Sequence, residues 1–428
     1  MSNTPARQPA QRATVLGALA LLYAAQGVPF GFAAEYLPVV LREAGLSRSA
    51  IAAFGWLQLP WQIKPLWAGV ADHPTVRPRA RTALLALQLT LAAVMASYAL
   101  IGGVSSLAPW CALTAVAAFI AATQDVFVDA FAVRTLADSE RGWGNSAQIA
   151  GYRVGMILGG GGMLALSGRL GARPTLLACG ALIAVASLAA FAMRDDEATP
   201  EPAKEPYRSA SPPAQRRRAH LAQIAEVLRH AVSGPARAVA AVALTYKLGI
   251  HAAAGLIKPM LVDAGWSREH IGALAVTLGA AAAVAGSLAG GALHRWMGER
   301  RALVTGAALH AAAVVPLIAA AATGCPKGVT TAAIAAEHFA SGAGTTVLFA
   351  GLMTATHRER AALHYTVLTS VNALAIGLGG LLGAILGDLV GVTAAYGVSA
   401  LLCLAPMPLF SRWSDHASAS AGLTEPTS

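Results

Sequence analysis

Charged side chains are scarce in this sequence. Asp, Glu, Lys and Arg make up 12% of its 428 residues, about half the share that soluble domains average. Hydrophobic residues make up 56% of the chain. This composition excludes most soluble enzymes and binding domains, because too little polar surface is available to face water. It indicates an integral membrane protein whose main partner is the lipid bilayer.

Cysteine is rare, and the motifs of soluble enzymes are missing. The four cysteines lie far apart and lack the spacing of a disulfide framework or a metal site. The sequence contains no GxxxxGK[ST] phosphate loop, no HExxH zinc motif and no GxSxG nucleophile elbow. We therefore predict no enzyme activity, no metal and no cofactor. Because no ATPase domain is recognised, uphill transport is expected to draw on a proton gradient.

A net charge of +10 is compatible with nucleic-acid binding. Most arginines and lysines, however, fall in one set of loops, namely the N-terminus, 71–82, 135–145, 193–235, 292–301, 356–362 and the C-terminal tail. Cytoplasmic loops of membrane proteins carry such an excess of basic residues. We therefore predict that both termini face the cytoplasm and that no nucleic acid is bound.

Long apolar runs are abundant. Twelve can form membrane spans, at residues 14–41, 49–70, 83–103, 108–134, 146–169, 173–192, 236–262, 270–291, 302–322, 329–355, 363–388 and 391–410. Backbone groups find no water in lipid, so each run is predicted to be a helix. The predicted fold is all-α, with a six-helix bundle at 1–193, a cytoplasmic linker at 194–235, and a second six-helix bundle with a short tail at 236–428.

The two groups of six spans repeat each other. Glycines recur at four-residue spacing in the fifth and eleventh spans: Gly151, Gly155, Gly159, Gly379, Gly383 and Gly387. Such spacing is typical of close helix packing in lipid. The loops after the second and eighth spans each carry a glycine followed by charged residues. We assign a structural or gating role to Asp72, Arg81 and Arg295 in these loops.

Two acids stand inside the fourth span. Asp125 and Asp129 are four residues apart and so share one helical face. A carboxylate at that depth costs at least about 2.5–3.5 kcal/mol, so the pair indicates a polar cavity, a proton site or a buried ion pair. Arg153 in the fifth span falls in the same half of the membrane, and we predict a structural or gating Asp129–Arg153 pair. Asp125 has no evident local partner and is the predicted proton site.

Basic residues line one face of the seventh span. Lys247, His251 and Lys258 lie within about 40° of one another on a helix of 3.6 residues per turn. Cations facing lipid are costly, so this stripe is predicted to face a cavity and to favour an anionic or zwitterionic small molecule. The alternative is that Lys258 reaches the outer interface and Lys247 pairs with an acid.

Other polar residues lie within the spans. Glu337 and His338 stand at middle depth in the tenth span and are predicted to take part in proton coupling, since histidine titrates near neutral pH; a structural, hydrogen-bonded His338 is the alternative. Lys64 is expected to reach the inner membrane surface, and Glu35 either lines the outer cavity or reaches the outer interface. Glu35 is also a predicted substrate contact. The others are Gln58, Gln62, Gln124, Tyr152, Tyr246, Tyr365 and Asn372.

Twelve spans, a central linker and charged loops after spans two and eight resemble the major facilitator superfamily over the whole chain. The loop at 69–81 departs from the family pattern Gly-x-x-x-Asp-x-x-Gly-Arg-[Arg/Lys], because Asp72 comes early and Pro74 and Pro78 intervene. The resemblance implies a fold of two six-helix bundles. It also implies a site lined by spans 1, 4, 7 and 10, with spans 2, 5, 8 and 11 between the bundles.

Shorter stretches resemble the AmpG and acetyl-CoA transporter branch of that superfamily. They are residues 23–31, 59–68, 122–129, 151–155 and 245–249. The compact length and the stretch His364-Tyr365-Thr366 are most similar to the RhtX/FptX siderophore permeases. This resemblance implies anionic or zwitterionic cargo such as muropeptides, acetyl-CoA or iron chelates.

We predict a monomeric secondary transporter of the cytoplasmic membrane that imports an organic anion or siderophore-type molecule, with protons, by alternating access. Transport of a muropeptide or an acetyl-CoA-like molecule is an alternative. Efflux by proton antiport is another, although the fifth span lacks the Gly-x-x-x-Gly-Pro motif of drug antiporters. From another class, a membrane-embedded transferase would need a reactive constellation near an interface, and the sequence shows none.

Overall fold

The computed structural model describes residues 9–67, 70–71, 75–101, 106–136, 141–192, 236–355, 361–411 and 413. Within these residues all regular structure is helical. Ten of the helices described are long and apolar enough to cross a membrane. The predicted all-α membrane fold is therefore confirmed.

The helices follow the predicted spans. Up to residue 192 they are α1 (Pro9–Gly31), α2 (Leu37–Glu43), α3 (Arg48–Gly55), α4 (Pro60–Ile63), α5 (Ala80–Ser97), α6 (Leu107–Thr135), α7 (Arg141–Ile157), α8 (Met163–Leu170) and α9 (Ala172–Ala186). From residue 236 they are α10 (Ala236–Thr245), α11 (Leu248–Asp263), α12 (Arg268–Leu274), α13 (Ala280–Met297), α14 (Glu299–Ala322), α15 (Lys327–Thr354), α16 (Ala361–Leu389) and α17 (Val392–Leu404). Short π-helical segments at Phe32–Tyr36, Leu158–Gly162 and Ala275–Gly279 join consecutive helices into continuous spans.

The second predicted span is the least regular of those described. It alternates α-helix with 3-10 turns, at Trp56–Gln58 and Lys64–Leu66. Proline removes a backbone donor, and Pro60 and Pro65 stand where these segments change. Irregular backbone at membrane depth is tolerated where it is buried in protein or lines a water-filled cavity. The broken backbone of this span therefore indicates that it lies against protein or a water-filled cavity.

The chain forms two compact units. One contains the described residues up to 192 together with Gly265–Val276, and the other contains the described residues of 236–264 and 277–413. The linker predicted at 194–235 lies outside the described residues, so the boundary between the bundles stays a prediction.

An ion pair and close backbone packing hold α12 within the first unit. The Arg268 Nε lies 3.0 and 2.8 Å from the two carboxylate oxygens of Glu43, and the guanidinium also donates through Nη2. Gly272 approaches the backbone of Gly161 so closely that a Cβ there would meet the Gly161 carbonyl oxygen. The bidentate geometry fixes the orientation of α12 as well as its position.

Glycine brings helices to backbone distance in both units. In the first unit α1 packs against α7, and a Cβ on Gly155 would meet the carbonyl oxygen of Ala24. In the second unit α11 packs against α16, and a Cβ on Gly383 would meet the carbonyl oxygen of Ala252. The glycine repeats seen in the sequence thus mark the same kind of contact in each unit.

The core of the second unit lies where α10, α14, α15 and α16 meet, and it includes Tyr246 and Leu303. Trp413, which follows α17, also belongs to this core and is 1% exposed. Its indole N–H donates to the Oε1 of Glu299 at 2.7 Å. The end of the described chain is thereby fixed to the start of α14.

Candidate functional site

A lysine and two aspartates meet inside the first unit. Lys64, in the 3-10 turn after α4, donates to the Oδ2 of Asp125 on α6. Its Nζ also lies 3.8 Å from the Oδ2 of Asp129. The side chain of Asp125 is 8% exposed and that of Lys64 is 29% exposed. One cation thus serves two carboxylates, so this group, the Lys64 cluster, has a net charge of −1 when both acids are ionised.

The Lys64 cluster differs from the pairing expected from the sequence. Asp125, which has no evident partner in the sequence, is paired with Lys64. Asp129 accepts a hydrogen bond of 2.7 Å from Tyr23 Oη, whereas the expected partner Arg153 is exposed. The prolines of the second span account for this difference from the expected pairing. A regular helix would point the Lys64 side chain away from α6, whereas the broken helix turns it toward α6.

Three aromatic rings pack beside the Lys64 cluster. The ring centroid of Phe30 lies 6.5 Å from that of Trp61 and 5.9 Å from that of Tyr152, and the last two are 6.2 Å apart. Lys64 Nζ lies 5.8 Å from the Trp61 centroid, within the range of a cation–π attraction. All three rings are half-buried. Of these, Tyr152 alone is a predicted site residue, although the other two stand in stretches that carry the family resemblance.

Three glutamines in the first unit are completely buried, namely Gln26, Gln124 and, on α5, Gln88. Gln26 on α1 and Gln124 on α6 are 0% exposed, and neither amide has a hydrogen-bond partner among the described residues. An unpaired buried polar group costs about 1–3 kcal/mol, so the two amides are candidates to contact a substrate or an ordered water. Gln124 is a predicted site residue and Gln26 is not. Of the other predicted glutamines, Gln58 is half-buried and Gln62 is exposed.

Lys247 occupies the break between α10 and α11 in the second unit. It is 2% exposed, and its ammonium donates to the Ser341 carbonyl at 3.1 Å, the Ser341 hydroxyl at 3.1 Å and the Thr345 hydroxyl at 2.8 Å. An ammonium has three donors, so all of them are in use. A substrate anion can reach Lys247 only by replacing one of these oxygens. The other members of the predicted basic stripe, His251 and Lys258, are half-buried.

The geometry around Lys247 gives a stability prediction. Thr345→Val removes one of three acceptors of a buried ammonium, and we expect the free energy of unfolding to fall by about 1.5–3 kcal/mol. Thr354→Val is the matched control, because Thr354 is an exposed residue of the same helix whose hydroxyl donates to Ala350 at 3.1 Å; its effect should stay within about 0.5 kcal/mol. Reversible unfolding in detergent measures both. Equal losses would show that the Lys247 contact does not matter for stability.

Two histidines and a glutamate lie in the same unit as Lys247. The Oε2 of Glu337, a residue 3% exposed, lies 2.7 Å from Nδ1 of His338, and this nitrogen is also 3.1 Å from the carbonyl of Ile334. His310 is 0% exposed, with its ring centroid 5.3 Å from that of Tyr246. His310 was not a predicted site residue, although a single histidine within the apolar run 302–322 was a usable signal.

The remaining predicted site residues are placed as follows. Tyr246 is completely buried and donates to the Leu303 carbonyl at 3.3 Å, so it belongs to the core of the second unit. Asn372 is 2% exposed, and its Oδ1 has no partner among the described residues. The structure also describes Glu35, which lies in the π-helical segment Phe32–Tyr36 and is half-buried, as well as Arg81, which is half-buried, and Arg295, which is exposed. Outside the described residues lie Asp72 and the side chain of Tyr365.

Comparison with known proteins agrees with the helical architecture. Residues 13–355 match the Major Facilitator Superfamily. The Anhydromuropeptide permease of Escherichia coli K12 is 26% identical over 369 residues, which cover 83% of this chain and 71% of the relative. Putative transporter AmpG 4 of Rickettsia felis is 21% identical over 364 residues, which cover 81% of this chain and 84% of the relative.

A solved structure shows the same fold. It is a bacterial homolog of the human lysosomal transporter Spinster, in an inward-facing and unoccupied conformation, with a TM-score of 0.68 and 14% identity over 97% of this chain and 99% of that one. At such an identity the likeness concerns the fold alone. Because the superfamily match spans most of the chain, and a permease relative aligns along most of its length, this protein is a transporter, not an enzyme, and belongs to the Major Facilitator Superfamily.

Proposed function

We propose that this transporter imports an organic anion or zwitterion together with protons, by alternating access. The observation that carries the proposal is the sharing of Lys64 by two carboxylates. Lys64 contacts Asp125 and lies 3.8 Å from Asp129, so the cluster holds one negative charge more than it can pair. Unpaired charge at membrane depth is costly, and one bound proton would remove it.

Proton binding would also change the contacts of Lys64. With Asp125 ionised, the ammonium is held on α6 at Asp125; with Asp125 neutral, Asp129 is the remaining carboxylate for Lys64. A ligand or proton shifts a conformational equilibrium only by as much as it interacts differently with the two states. The exchange of Lys64 between the two acids supplies such a difference beside the Trp61 and Tyr152 rings.

Lys247 supports an anionic or zwitterionic cargo, because it is a buried ammonium whose hydrogen-bond acceptors are all neutral oxygens. Lys64 adds no net positive charge while both acids of its cluster are ionised. The anhydromuropeptide permease relative makes an anhydromuropeptide the first candidate cargo. A siderophore-type molecule is the second candidate, supported by the resemblance of residues 364–366 to siderophore permeases. The functional unit is proposed to be a monomer in the cytoplasmic membrane, with both termini in the cytoplasm.

Uptake by reconstituted protein tests this proposal. Purified protein in vesicles should accumulate labelled anhydromuropeptide or ferric siderophore above the outside concentration when the vesicle exterior is made acidic. The proton gradient alone should suffice, without ATP. Protein-free vesicles and vesicles treated with a protonophore are the controls. Uptake that ignores the pH gradient would exclude proton coupling, whereas accumulation only with the gradient reversed would indicate efflux by antiport.

A further inference from the structure

A cavity of about 620 Å³ lies at the turn between α13 and α14 in the second unit. Its lining includes Met297, Gly298, Glu299, Arg300 and Arg301. The turn joins a candidate membrane span that ends at Met297 to one that begins at Glu299. The cavity therefore lies at a membrane boundary, at the depth of lipid headgroups.

Arginines outnumber acids at this cavity. Arg300 and Arg301 line it, Arg295 lies in the last turn of α13, and all three are exposed. Within the part of the chain that the structure describes, no ion pair involves any of them. Glu299 also lines the cavity, and its carboxylate accepts the hydrogen bond from the Trp413 indole. An anion in the cavity would therefore meet guanidinium groups that are available to bind it.

The surface beside the cavity is apolar. Trp296 is 80% exposed at the end of α13, and on the same helix Leu288 is 73% and Val284 is 51% exposed. Tryptophan is enriched where a span meets the headgroup region. Exposed aliphatic side chains along a span face acyl chains. A soluble anion would make use of the arginines alone, whereas a lipid would contact both the arginines and this apolar strip.

We propose that the α13–α14 turn is a binding site for the headgroup of an anionic phospholipid. Arg300 and Arg301 bind the phosphate, because a planar guanidinium donates two parallel hydrogen bonds to phosphate oxygens. Trp296 lies against the glycerol ester region, and the acyl chains follow Leu288 and Val284. Basic pockets at a membrane boundary recognise lipid headgroups by this combination of charge and position.

Lipid binding by the full-length protein tests the proposal directly. Native mass spectrometry of the purified protein in detergent, titrated with phosphatidylglycerol or phosphatidylcholine, counts bound lipids and gives an apparent affinity. We expect the double variant Arg300→Gln/Arg301→Gln to bind phosphatidylglycerol about thirtyfold more weakly and phosphatidylcholine unchanged. The melting temperature in phosphatidylcholine verifies that the variant is folded.

The matched control is Arg169→Gln/Arg173→Gln. These two exposed arginines flank the turn at Gly171, also between two candidate spans, so the control removes the same charge from a similar place. Phosphatidylglycerol binding that is unchanged in the Arg300/Arg301 variant, or reduced equally in both variants, would overturn the proposal.

A second variant separates a lipid from a soluble anion. Trp296→Ala keeps every charge, and it should weaken phosphatidylglycerol binding while leaving any binding of inorganic phosphate unchanged. If the wild-type protein binds inorganic phosphate as tightly as phosphatidylglycerol, and Trp296→Ala changes neither, the site takes a soluble phosphate and the lipid assignment is wrong.

Discussion

The Asp125→Asn variant is expected to lose accumulation driven by a pH gradient while it continues to exchange substrate across the membrane. Asparagine has the shape of a protonated aspartate, and in the variant Lys64 still has Asp129 as its counter-ion. The Lys64 cluster then carries no net charge. No proton has to bind before the conformational change. The variant should therefore fold and change conformation, but a pH gradient should not drive accumulation of the substrate.

Two assays in the same vesicles separate the parts of this prediction. Gradient-driven uptake should fall to the equilibrium level, whereas counterflow, in which unlabelled substrate inside drives labelled substrate in, should persist. Asp263→Asn is the control, since Asp263 is an exposed aspartate at the end of α11 and its variant should retain both activities. Full accumulation by the Asp125 variant would remove Asp125 from the coupling mechanism.

Lys64→Met is expected to increase the negative charge of the Lys64 cluster, which Asp125→Asn removes. It leaves two carboxylates of one helical face without their shared cation, and removing one partner of a buried pair commonly costs about 3–5 kcal/mol. Lys64 is 29% exposed, so the loss of folding stability should lie toward the lower end of this range. Adding Asp125→Asn to Lys64→Met removes one of the unpaired charges and should restore part of the lost stability. A double variant no more stable than Lys64→Met would argue against the charge imbalance.

Gly383→Ala is expected to lower the stability of the second unit. A Cβ at this position would overlap the carbonyl oxygen of Ala252, an atom of the helix backbone that cannot turn aside. The α11 and α16 helices would have to separate. Overpacking of this kind costs about 1–3 kcal/mol, occasionally more.

The neighbouring glycine provides the control for this substitution. A Cβ at Gly380, three residues earlier in the same helix, has nothing within 4 Å. Alanine is favoured over glycine within a helix by about 0.5–1 kcal/mol, so Gly380→Ala should be neutral or stabilising. Thermal unfolding in detergent, followed by tryptophan fluorescence, compares the two. Equal stabilities for the two variants would mean that α11 and α16 are not in backbone contact.

Hydropathy and glycine spacing predicted the helices and their closest contacts, because both patterns are local. In lipid, a long apolar run satisfies its own backbone hydrogen bonds by forming a helix. The repeats at Gly155 and Gly383 mark the backbone contacts described above. The pairing of Lys64 was not predictable in the same way. It depends on how far two prolines turn the second span, which is a property of three-dimensional packing and not of residue spacing.

The same limit applies to the second unit. Helical geometry places Lys247, His251 and Lys258 on one face, but Lys247 lies in the turn between α10 and α11, where regular helical geometry no longer fixes its direction. Its contacts with Ser341 and Thr345 join residues about a hundred positions apart in sequence. The sequence does not indicate which polar residue of another helix a buried lysine will contact. His310 was visible as a single polar residue, yet nothing in the sequence indicated its neighbours.

The π-helical segment Phe32–Tyr36 limits how the first span tolerates insertions and deletions. A π turn holds one residue more than an α turn, which rotates everything beyond it by about 100° relative to an uninterrupted α-helix. Glu43, which pairs with Arg268, owes its direction to that additional residue. Deleting one residue between 32 and 36 would restore a regular helix and turn Glu43 away from Arg268. The length of this segment, and not only its composition, therefore determines whether the Glu43–Arg268 ion pair can form.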